Sequence, residues 1–66
     1  MNFVEKAGMR IEHWIKHSQS HFTEYEAFAD ELEQAGYKAS AEEIRQMAAL
    51  TRKGIDHLGS ARSRLD

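Results

Sequence analysis

The apolar residues of this 66-residue chain recur with helical spacing almost from end to end, with one glycine-containing interruption. With Val4 as position a of a heptad, apolar side chains fill most a, d and e positions as far as Leu32. An a/d stripe with an apolar e flank is typical of a helix buried in a bundle. The chain also has no proline that would break such a helix. The pattern therefore predicts an all-α fold.

Gly36 marks the single expected turn, because glycine adopts the left-handed conformation after a helix without strain. Ser40 and Glu43 have the spacing of a capping box and would begin a second helix. The expected elements of one domain, residues 1–66, are a helix over about 2–35, a turn over 36–39 and a helix over about 40–64.

A turn this short predicts an antiparallel two-helix hairpin, in which the numbers of facing residues sum to about 76. A hairpin that buries its a/d seam leaves the e positions exposed. Such a strip favours a homodimer that forms an antiparallel four-helix bundle, or docking of another amphipathic helix. The interface residues expected on this basis are Ile15, Phe22, Ala29, Ala48 and Ile55.

Composition excludes several other kinds of protein. There is no cysteine, which rules out disulfides and thiolate metal sites. The net charge is −2 and there is no basic stripe, so a nucleic-acid partner is not expected. No apolar run approaches the roughly 20 residues of a membrane span. Glu5, Lys6 and Arg10 interrupt the first apolar residues, so no signal peptide is expected and a cytoplasmic location is predicted.

Histidine is the residue type that points to a function. His13, His17 and His21 are spaced four residues apart, which stacks them along one side of a helix. His57 would lie level with residue 19 on the other helix. Two imidazoles at this spacing can hold one Zn, Ni, Cu or Co ion. The candidate metal ligands are His13, His17, His21, His57 and Glu24, with Glu12 or Glu24 as an acceptor that orients a ring.

Two functions follow from these observations. The first is a small metal-binding protein that acts in binding, storage or sensing. The alternative is a structural module for homo-oligomerisation or protein interaction, with no metal, in which His21 bonds to Tyr25 or Thr51 within a core. An enzyme is not expected, because two helices offer little concave volume for a substrate.

The segment from His13 to Tyr25 resembles a small helical-hairpin domain of bacteria and archaea. That domain carries the signature H-W-I-x-H-N-x-x-H-x-x-x-[YF], and its histidines match His13, His17 and His21. The resemblance covers most of the chain and implies a helical hairpin with metal handling. Ser18 stands where the signature has asparagine, so a role of that side chain does not carry over.

Overall fold

A computed structural model describes residues 2–65 of the chain, and these residues form two helices joined by a tight turn. Helix α1 spans Phe3–Gln34 and helix α2 spans Lys38–Ser63. Residues 2–65 contain no strand. The helices pack side by side and antiparallel, since Arg45 contacts Glu33 near the turn and Arg62 contacts Glu12 far from it. The predicted all-α hairpin is confirmed.

The turn is a Schellman motif centred on Gly36. This glycine has a φ of 95°, in the left-handed region. The Tyr37 N–H donates to the Leu32 carbonyl oxygen at 2.9 Å, and the Gly36 N–H donates to that of Glu33 at 3.0 Å. Both bonds satisfy carbonyls that the end of a helix leaves without partners. Glycine at this position therefore ends α1 where the sequence predicts.

The two helices begin in different ways. At the start of α1, the Asn2 side-chain oxygen accepts a hydrogen bond of 2.8 Å from the Glu5 N–H. Helix α2 begins at Lys38, and the preceding Tyr37 makes no capping hydrogen bond with its side chain. The predicted capping box at Ser40 is wrong, because this serine lies inside the first turn of α2. The Schellman motif folds the chain so tightly that α2 begins two residues earlier than expected.

The buried residues between the helices are three alanines and one isoleucine, all at e positions. Ala29 and Ala41 are fully buried, Ala48 is 2 % exposed and Ile55 is 9 % exposed. Alanine lets two helix backbones approach closely, so the helices turn their a and e positions toward each other. No large side chain among residues 2–65 is fully buried.

This packing corrects the expected position of the exposed apolar strip. Ala29, Ala48 and Ile55 were expected to face a partner, but they are buried within the hairpin. Ile15 and Phe22, the other members of that set, are partly buried. The expectation was wrong because it put the a/d stripe at the centre of the seam, whereas the alanines draw the a/e stripe there.

One edge of the hairpin carries the ion pairs that link the helices. Arg45 of α2 donates to Glu33 at 2.6 Å and to Asp30 at 3.0 Å. The hydrogen bonds with Glu33 and Asp30 raise the pKa of Arg45, so its guanidinium stays charged. Arg62 pairs with Glu12, and the Arg52 guanidinium lies 5.7 Å from the centre of the Phe22 ring. This charged edge comprises Glu12, Phe22, Asp30, Glu33, Arg45, Arg52 and Arg62.

The hairpin is a thin rod. It extends 51 × 16 × 10 Å with a radius of gyration of 15.4 Å, against about 11 Å for a compact domain of this length. A rod of two helices has a large surface for its volume. Neither helix combines the length and the apolar character needed to cross a membrane.

Replacing Gly36 with alanine is expected to destabilise the protein by about 1–2 kcal/mol, the cost of a left-handed non-glycine residue. Space is not the cause, because no atom lies within 4 Å of where the new Cβ would sit. The control is Gly59→Ala, which is equally open but lies inside α2, and which should stabilise by roughly 0.5–1 kcal/mol. Urea unfolding followed by helical circular dichroism measures both changes, and shifts of the same sign would contradict the turn assignment.

Replacing Ala48 with leucine is expected to destabilise the protein by about 1–3 kcal/mol, because the larger side chain pushes the helices apart. The matched control is Ala49→Leu, which makes the same change one residue away on an exposed face. Thermal unfolding of both variants compares the two positions. A seam centred on a/d positions instead would make Ala48→Leu as harmless as its control.

Candidate metal site on helix α1

Two histidines of α1 form a pair with converging ring nitrogens. The Nε2 atoms of His17 and His21 are 3.0 Å apart. A helix places residues four apart one above the other, which explains why the two rings meet. The hydrogen bond between them requires one ring to carry its proton on Nε2 and the other to leave that nitrogen free.

The separation of these nitrogens fits a shared metal ion. Metal–nitrogen distances of about 2.0–2.1 Å place two imidazole nitrogens roughly 2.9–3.4 Å apart across the usual bond angles. The ring centroids of His17 and His21 are 4.5 Å apart, and the ring planes stand at 89°. An ion that replaced the shared proton would need little movement of either ring.

Two side chains lie close to the His21 ring. Its Nδ1 is 3.8 Å from a carboxylate oxygen of Glu24, which is within ion-pair distance but beyond hydrogen-bond distance. Tyr25 stacks on the His21 ring with centroids 5.8 Å apart and planes at 12°. A carboxylate that hydrogen-bonds a metal-binding histidine fixes its tautomer and raises the basicity of the other nitrogen. A movement of about 1 Å by Glu24 would bring its carboxylate into that position.

The other predicted ligands do not join this pair within one hairpin. The ring of His13 stacks on that of His17 with centroids 6.0 Å apart, so its nitrogens do not converge on the pair. His57 is exposed on α2. Across residues 2–65, no three or more His, Cys, Asp or Glu side chains are grouped so that they could hold one ion. A histidine at g lies well away from the a/e seam, so the expected gathering of three or four imidazoles is not formed.

Two other residues named from the sequence have different partners. Glu12, considered as an acceptor for a histidine, pairs instead with Arg62 on the charged edge. Thr51, considered as a partner for His21, donates to the Met47 carbonyl oxygen at 3.2 Å. Tyr25 does contact His21, but by stacking and not by the hydrogen bond that was considered. The sequence signal for that stacking is its i, i+4 spacing, the same as that of the histidines.

The fold defines a class of small all-α hairpin proteins with a histidine pair on an exposed helix face. Residues 8–65, which include nearly all of both helices, match a family described as a domain of unknown function, DUF8180. The chain belongs to this family. Comparison with curated proteins and with solved structures finds no similar chain.

Proposed function

We propose that this protein binds a transition-metal ion through His17 and His21. The observation that supports the proposal best is the 3.0 Å separation of their Nε2 atoms. Glu24 supports it further, because its carboxylate lies behind His21 as in known metal–histidine sites. Nitrogen ligands of this kind suit Zn(II), Ni(II), Cu(II) or Co(II). The resulting activity is binding, storage or sensing of the ion, and we place it in the cytoplasm.

Binding rather than catalysis is the function that the surface favours. One concave region is an open groove beside Phe22, Ala48 and Arg52, on the charged edge. Enzymes enclose most of their substrate in a pocket that excludes water. An open groove beside a thin rod gives no such enclosure, and it lies on a different edge from the histidine pair.

The alternative function, an association module without metal, is favoured by a separate observation. Trp14 and Phe28 each leave 49 % of their surface exposed, and Leu50 leaves 67 %. Large apolar side chains grouped on a surface mark an interaction site. An association module predicts an oligomer that forms equally well with and without a chelator. The metal-binding proposal predicts saturable metal uptake.

Titration with Zn(II) or Ni(II) is expected to show saturable binding by the wild-type chain, and none by the double variant His17→Ala/His21→Ala. The reason is that the variant removes both converging nitrogens and leaves the rest of α1 intact. Isothermal titration calorimetry on protein purified without an affinity tag makes the measurement.

The matched control for this titration is His57→Ala, which also removes an exposed imidazole but not one of the pair. It should retain the wild-type affinity. Equally weak binding by wild type and double variant would remove the metal proposal and leave the association module.

Glu24→Gln is expected to lower metal affinity by about tenfold, the lower end of the loss when a partner behind a metal-bound histidine is changed. The substitution keeps the size of the side chain and removes the negative charge that faces His21 Nδ1. Glu26→Gln, two residues along the same helix, makes the same chemical change away from the pair and should have no effect. A loss in both variants would assign the effect to overall charge instead.

A further inference from the structure

The edge opposite the charged edge carries several large apolar side chains that are exposed to solvent. It consists of d and g positions of both helices. Trp14 and Phe28 lie on it, each 49 % exposed, together with Leu50, which is 67 % exposed. His17 and His21 lie between the two aromatic residues in sequence. The d and g positions that form this apolar edge are Phe3, Ala7, Arg10, Trp14, His17, His21, Glu24, Phe28 and Glu31 of α1 and Ser40, Glu43, Met47, Leu50, Gly54, His57 and Ala61 of α2, followed by Arg64.

The geometry points to a second copy of this chain as the occupant of the apolar edge, in a two-fold dimer centred on His21. This inference does not rest on the proposed function.

The spacing of the apolar residues is self-complementary. Trp14 and Phe28 lie seven residues on either side of His21, or about 10 Å along the helix in each direction. A two-fold axis at the level of His21 therefore sets Trp14 against the partner's Phe28, and the partner's Trp14 against Phe28. Leu50 lies level with about residue 26 by the antiparallel register, so it adds to the same contact. A two-fold interface pairs the same surface of both copies, so its residues must fit one another when one copy is inverted.

The two-fold axis at His21 also places opposite charges of the two copies against each other along this edge. Arg10 and Arg64 lie at g positions at one end of the edge, and Glu31 and Glu43 lie at g positions at the other. Inverting one hairpin about His21 sets each basic end against the partner's acidic end. All four side chains are exposed in the single chain. The charge pattern and the apolar pattern thus give the same axis independently.

The single chain exposes more surface than a compact monomer of its mass, and the excess is close to the area that one partner buries in a stable dimer. The single chain exposes 5195 Å², against about 4300 Å² for a compact monomer of 7.6 kDa. The excess of about 900 Å² is close to the roughly 800 Å² that each partner contributes to a stable interface. Gly54 leaves open space near the axis, since no atom lies within 4 Å of where its Cβ would sit.

The first test is the mass of the full chain and two variants by sedimentation equilibrium, with a chelator present. The wild type should have twice the mass of a 7.6 kDa chain. Phe28→Glu should be monomeric, because it places a charge in the contact with Trp14. Met9→Glu, which changes a residue that is 60 % exposed but lies off the apolar edge, should remain dimeric. A monomeric wild type, or a dimeric Phe28→Glu, would overturn the proposal.

The second test locates the axis by cross-linking. The chain has no cysteine, so His21→Cys introduces a single thiol at the level of the axis. Mild oxidation with a chelator present should link it to the partner's copy of the same residue as a disulfide. Met9→Cys should not cross-link under the same conditions. If His21→Cys forms no more cross-linked dimer than Met9→Cys, the dimer centred on His21 is overturned.

Zinc titration of the wild-type chain then separates the two proposals. No Zn(II) uptake by a wild-type chain that sediments as a dimer overturns the proposed function and leaves the dimer supported. Saturable Zn(II) uptake by a wild-type chain that sediments as a monomer overturns the dimer and leaves metal binding supported.

Discussion

Close contact between the two helices through alanine is the interaction on which the rest of the structure depends. Ala29, Ala41 and Ala48 are almost completely buried, and they occupy e positions of their helices. Because a methyl group holds the backbones so close, the helices turn their a and e positions toward each other. Apart from Ile55, every larger side chain among residues 2–65 lies at the margin of the seam or outside it.

This rotation gives the hairpin two unlike edges. Positions b and f, with Phe22 and Arg62 at e, form the charged edge, where Arg45 and Arg62 pair with carboxylates of α1. The d and g positions form the apolar edge, where Trp14 and Phe28 remain half exposed. A hairpin whose core holds alanine and a single isoleucine buries little apolar area for its length. The proposed dimer supplies that area on the edge that also carries the histidine pair.

The histidine pair shows how far local sequence reasoning extends. The i, i+4 spacing of His17 and His21 predicted that their rings would lie close together, because both residues lie on one rigid helix. It did not decide which rings converge, since His13 and His17 have the same spacing and stack with centroids 6.0 Å apart. The position of His57 relative to α1 depends instead on how the two helices rotate about their axes. The sequence left Glu24 as either a ligand or an orienting carboxylate, and the structure places its carboxylate 3.8 Å from His21 Nδ1.

The sequence by itself determined two helices, their antiparallel order and the turn at Gly36, because these depend on periodicity and on the backbone freedom of glycine. Only the tertiary structure decided which face of each helix is buried. The a, d and e positions are all apolar, so the pattern alone does not distinguish an a/d seam from an a/e seam. The difference lies in side-chain volume at the point of contact, where alanine at e permits an approach that tryptophan and phenylalanine at d prevent.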